Sequence, residues 1–166
     1  MIIISDTSPI NNLAAIGALY LLKSLYGTVV IPEAVYRELT EPDFMVAGAD
    51  EVQTLEWIQV RSIADGAFLA VLRSELDPGE SEAIALALEL GAEQILIDER
   101  KGRSVARRLS LQYTGTLGIL LEAKNKALIN SVKPFLNALV EEAGFWITES
   151  LYKETLLLAQ EEYEDE

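Results

Sequence analysis

The chain has 166 residues, half of them apolar, with 13 basic and 27 acidic residues and a net charge of −14. It has neither Cys nor His. This excludes disulfides, thiolate nucleophiles, imidazole bases and Cys- or His-ligated zinc, and leaves carboxylates, hydroxyls, Lys, Tyr or an oxygen-held hard cation to carry any chemistry. The acidic balance disfavours diffuse attraction to nucleic acid or anionic lipid, so a nucleic-acid role requires a concentrated basic patch. No apolar run is long enough to span a membrane, and Asp6 interrupts the start too early for a signal peptide. These features predict a cytoplasmic location.

In chain order, Met1-Ile2-Ile3-Ile4-Ser5-Asp6 reads as a buried parallel strand ending in an acid. Ser8-Pro9 predicts a helix start, with Ser8 at the N-cap, Ile10, Leu13, Ala14 and Leu21 at helical spacing, and Gly17 as a break. Gly27 closes this unit, residues 28–31 read as a strand, and Pro32 opens a helix to about Leu39. Residues 40–56 predict a loop followed by a helical turn or two, residues 57–62 a strand, and residues 66–75 a helix. Asp77-Pro78-Gly79-Glu80 starts a strong helix through Leu90 that stops at Gly91. Gln94-Ile95-Leu96-Ile97-Asp98 is a second short apolar strand ending in an acid, followed by a basic helix over 99–109, a strand over 111–114, and helices over 116–127, 131–143 and 149–162.

This alternation predicts one α/β domain over 1–166: three α/β/α layers around a central, mostly parallel sheet. Residues 1–130 form its core, and 131–166 add C-terminal helices and an acidic tail. The run from Glu161 to Glu166 reads as a solvated, fraying end.

Four acids are forced inward by the pattern. Asp6 and Asp98 end apolar strands, where the carboxyl edge of a parallel sheet lines a ligand crevice; the competing reading is that each caps the following helix. Glu38 projects into the apolar arc of its helix, away from the Glu33 and Arg37 pair. Glu80 shares a face with Ala83, Ile84 and Ala87, whereas Glu82 projects beside Glu89, looks solvent-facing and is kept as a reserve ligand. A purely structural alternative makes Asp77 and Glu80 a capping box.

Converging carboxylates repel one another by about 4 kcal/mol per close pair at an effective dielectric near 20, so a cation must sit among them. Oxygen-only ligation suits Mg²⁺ or Mn²⁺, and such a site supports hydrolysis of phosphodiesters. Arg100, Lys101, Arg103, Arg107 and Arg108 concentrate five of the 13 basic residues just after Asp98, placed to steer a phosphate backbone. Thr7 and Ser8 are placed to hydrogen-bond Asp6 or a metal-bound water.

In order and spacing, Asp6-Thr7-Ser8-Pro9, the Val30-Ile31-Pro32 entry to the helix bearing Glu38, the helix from Glu80 to Gly91, and Ile95-Leu96-Ile97-Asp98 resemble the PIN domain family of metal-dependent ribonucleases. The likeness is greatest to VapC-like toxins and their bacterial and archaeal relatives. It implies a sheet flanked by helices, a Mg²⁺ or Mn²⁺ pocket built by Asp6, Glu38, Glu80 and Asp98, cleavage of single-stranded RNA, a homodimer and an antitoxin protein. The sequence departs from the family pattern in having Glu at the third acid, Glu99-Arg100-Lys101-Gly102-Arg103 after the fourth, and helices beyond residue 130. The competing expectation is a non-catalytic protein- or RNA-binding module on the same fold.

Overall fold

The computed structural model describes residues 1–163. Five short strands, β1 (Ile3–Ser5), β2 (Val29–Pro32), β3 (Ile58–Arg61), β4 (Gln94–Leu96) and β5 (Tyr113–Thr114), form a wholly parallel sheet in the order β3-β2-β1-β4-β5. The central register pairs Ile4 with Val30 on one side and with Ile95 on the other.

Both faces of the central sheet are apolar because consecutive strand residues point to opposite sides and the buried residues of β1, β2 and β4 are mostly hydrophobic. Ile3, Val29, Ile31 and Leu96 enter a core covered by α1 (Thr7–Ala15), α2 (Tyr20–Tyr26), α8 (Thr116–Asn125), α9 (Lys133–Glu141) and α10 (Glu149–Leu158). Ile4, Val30, Ile95 and Ile97 enter the opposite core, built with α5 (Ala67–Glu75), α6 (Pro78–Leu90) and α7 (Arg100–Arg108). Helices α3 (Glu33–Thr40) and α4 (Ala49–Thr54) complete the chain order, and α3 packs against both α6 and β2. This is the three-layer architecture expected, with two helices beyond residue 130.

Helix α6 is buried from Gly79 to Ala87 without a solvent face, which its small residues permit because α3, α5 and three strands close around it. Gly91 terminates it at φ +61°, a left-handed stop that glycine adopts without strain.

Three local expectations are corrected. Helix α1 starts at Thr7 with Asp6 in the N-cap position, so Ser8 lies inside the first turn and does not cap it. The C-terminal helix ends at Leu158. Glu161 is no frayed end: its carboxylate accepts hydrogen bonds from the N–H groups of Val132 (2.7 Å) and Lys133 (3.1 Å) and from Lys124 Nζ (3.0 Å), tying the chain to the start of α9. Tyr163 packs edge-on against Tyr152, and residues 164–166 of the predicted tail lie outside the described residues.

Candidate metal centre

Strand order reverses between β1 and β4: the chain moves from β1 through β2 to β3 on one side, and from β4 to β5 on the other. Such a switch point opens a crevice at the carboxyl ends of its strands. Asp6 and Asp98 follow those two ends, and the Asp6 N–H bonds Leu96 O at 2.9 Å.

Asp6 is only 3% exposed, does not cap its helix with its side chain, and leaves Oδ1 without a hydrogen-bond partner. Burial pushes its carboxyl up to about 7, opposed by the Thr7 N–H and reinforced by the charges of Asp77, Glu38 and Asp98. Glu38, in the last turn of α3, accepts the Thr7 hydroxyl and the Gly79 N–H (3.0 Å), so one carboxylate joins α1, α3 and α6. An added Cβ at Gly79 would lie 2.5 Å from Glu38 Oε2 and would push that carboxylate aside.

Asp77 caps α6 by accepting the Glu80 N–H at 2.8 Å. Asp6, Glu38 and Asp77 each present a carboxylate oxygen, and the three atoms lie within 4.8 Å of one another. Asp77 thus joins the cluster, although the sequence assigned it only a capping role. The signal for it was its position at the mouth of the most buried helix.

Glu80 is buried with its Oε2 unpartnered; its N–H bonds the Asp77 carboxylate, with no bond returning from the Asp77 N–H to complete a capping box among the described residues. It lies just outside the three-oxygen group, facing Gly102, where a Cβ would come to 2.6 Å of Oε2. Burial, a carboxyl hydrogen bond with Asp77 and the charges of Asp77, Asp6 and Glu99 all raise its pKa. Asp98 stands at the other side of Asp6, held by the Thr116 N–H (2.7 Å), the Thr116 hydroxyl (2.7 Å) and Asn12 Nδ2 (3.2 Å). Its carboxylate therefore serves the N-terminus of α8 rather than of the helix that follows it.

Glu82 departs from its expected solvent-facing position: it is buried on the far flank of α6, accepts the Ala34 N–H at 3.2 Å and pairs with Arg73 and Arg37. It is not among the clustered acids. The Thr7 hydroxyl goes to Glu38, while its backbone N–H serves Asp6.

The basic run divides by position. Arg100 and Lys101 are exposed on the first turn of α7, Arg108 pairs with Glu75 at 2.9 Å, and Arg107 donates to the Tyr113 hydroxyl. Arg103 is anchored to the backbone just after β4, through Nε to Ile97 O at 3.0 Å.

Among the described residues, no ion pair involves Asp6, Glu38, Asp77, Glu80 or Asp98. Two buried carboxylate oxygens without partners, among carboxylates that no side-chain cation pairs among the described residues, fit a divalent ion. Comparison with known families agrees with this geometry: a PIN domain family model matches residues 2–161. The chain belongs to the PIN domain family. PIN domains are generally nucleases that use divalent metals, and the match runs through both helices beyond residue 130, so α9 and α10 are part of this PIN domain. No curated protein matches the chain. Among the described residues, no helix is long and apolar enough to cross a membrane.

Proposed function

We propose that this PIN domain is a Mg²⁺- or Mn²⁺-dependent endoribonuclease of the VapC-like kind, hydrolysing phosphodiesters of single-stranded RNA in the cytoplasm. The observation that carries this reading is the set of carboxylates at the β1 and β4 switch point, of which Asp6 and Glu80 are buried with orphaned oxygens that no cation among the described residues pairs.

Asp6, Glu38 and Asp77 would hold the ion, with Asp98 and Glu80 at its flanks as further ligands or as bases toward its water shell. When bound, the ion lowers the pKa of an attacking water and stabilises the oxygens of an in-line displacement. The protein's own part is positioning. Thr7 and Gly79 orient Glu38, Thr116 and Asn12 orient Asp98, and burial holds the free oxygen of Asp6 in low-dielectric surroundings. Arg100, Lys101, Arg103 and the outer Arg107 and Arg108 form the basic rim that offsets a negative surface for the RNA backbone. Exposed Phe44, Met45 and Trp146 are surfaces for the second copy or the antitoxin protein that the toxin reading carries with it.

A divalent-ion titration with a fluorogenic single-stranded RNA tests the proposal. Cleavage should require the ion and fall at least about 100-fold in Asp6→Asn or Asp98→Asn. Undiminished cleavage by either variant overturns it. A wild-type chain whose melting temperature is unmoved by millimolar Mg²⁺ or Mn²⁺ would favour the non-catalytic binding module instead.

A further inference from the structure

Beside the acidic pocket, a groove of about 350 Å³ lies between β5, the start of α8 and α10. Tyr113 lies along it, Leu117 and Leu121 form one wall, and Leu151 and Leu158 of α10 form the other. Leu151 and Leu158 are 41% and 65% exposed, so both present apolar surface to an open slot.

Arg103 stands where pocket and groove meet. Its Nε is fixed on Ile97 O, and its guanidinium carbon sits 5.7 Å from the Tyr113 ring centroid. At Gly115 an added Cβ would overlap Arg103 Nη2 and come to 2.8 Å of Asp98 Oδ1, so guanidinium and carboxylate flank one narrow gap. Among the described residues no acid pairs with Arg103, which leaves its outer nitrogens free for a phosphate. Arg107 approaches the same ring, also at 5.7 Å. The exposed Glu154 completes the lining, with no hydrogen bond or ion pair among the described residues.

We propose that this groove takes one unpaired guanine of the RNA strand, adjacent to the phosphodiester that is cut, with Arg103 holding the intervening phosphate. The inference rests on the nuclease reading and extends it to base selection. An apolar slot with an aromatic ring and guanidinium planes is the surface on which a splayed base stacks. A lone carboxylate at the lining repels phosphate and selects an edge that donates. Guanine presents two adjacent donors, N1–H and the N2 amino group, to two carboxylate oxygens. Uracil offers one N–H between two carbonyls that the carboxylate would repel. Because that edge is occupied in a duplex, the groove also selects single strands.

The test compares two labelled RNA hexamers, one all uridine and one with a single central guanosine, by kcat/KM with Mn²⁺ and by anisotropy in metal-free buffer. Wild type should favour the guanosine RNA by about tenfold in both assays, the discrimination a good bidentate contact supplies, and cut at a fixed offset from it. Glu154→Ala should bring the ratio to about one. Leu158→Glu, at an exposed position, should weaken the guanosine RNA by about fivefold or more. An unchanged ratio in Glu154→Ala, or no preference in wild type while both RNAs are cut, overturns the base site and leaves the nuclease reading standing. Failure of the wild type to bind or cut either RNA overturns both.

Discussion

The hydroxyl of Thr7, in the first turn of α1, is hydrogen-bonded to Oε2 of Glu38, 31 positions away in the last turn of α3. The bond orients a ligand candidate from outside the cluster, the arrangement that tunes metal affinity by about 10- to 100-fold when such a partner is removed. Thr7→Val should therefore weaken Mn²⁺ binding and cleavage by about tenfold or more, while Thr7→Ser retains both. Isothermal titration with Mn²⁺ alongside RNA cleavage checks this, and equal behaviour of the Val and Ser variants would count against it.

Gly79→Ala separates helix stability from site geometry. Alanine favours a helix by about 1 kcal/mol over glycine, yet its methyl would press on both Glu38 oxygens, at 2.5 and 2.7 Å. We expect a melting temperature within a few degrees of wild type and a loss of metal affinity of about tenfold or more. A variant with wild-type metal binding would show that Glu38 can shift freely.

The pH dependence of metal-free stability follows from Asp6. Its carboxyl titrates near 7 when folded against 3.8 unfolded, raised first by burial, with Thr7 N–H opposing and Asp77, Glu38 and Asp98 adding. Between those values the folded chain holds a proton that the unfolded chain has released. The stabilisation is complete below about pH 4 and is lost as pH rises through 7. Glu80, whose pKa is also raised, acts in the same direction. In chelator, the melting temperature should fall from about pH 5 to about pH 8 and the fall should shrink in Asp6→Asn, while Mn²⁺ restores stability to the wild type at the upper end. Thermal melts across that range, with and without Mn²⁺, decide it.

Glu161 supplies a purely structural prediction. Burial pushes its carboxyl up, but the N–H groups of Val132 and Lys133 and the Lys124 ammonium together hold it below the usual carboxylate range. Glu161→Ala leaves those donors unpaired and should destabilise the fold by about 2 kcal/mol, with cleavage per folded molecule unchanged. Denaturant melts and activity at low temperature measure the two effects separately.

The three-layer fold was legible because the strand segments are apolar on both faces, as Ile3 and Ile4 or Ile95 and Leu96 show by entering opposite cores. The strand-end acids were legible for the same reason: an acid following a buried parallel strand has few places to go but the crevice. Glu82 was misread because a helical projection assumes one face meets water, and α6 has none from Gly79 to Ala87; α3 covers the side on which Glu82 lies. Asp77 escaped notice because a cap was taken to exhaust its carboxylate. A carboxylate has two oxygens, and the residue both bonds the Glu80 N–H and joins the acid cluster. The hold on Asp98 by Thr116 and the anchoring of Glu161 link segments that no local periodicity connects.

The wholly parallel order of the sheet has a consequence for when activity can arise during synthesis. Asp6 is made well before Asp98, but the strand that brings Asp98 beside it pairs with β1 only after residue 96, and Asp98 is steadied by a threonine translated later still. A partly translated polypeptide therefore has no assembled centre. The proposed cleavage waits until the segment carrying Thr116 has emerged, and until then the messenger is spared by its own nascent product.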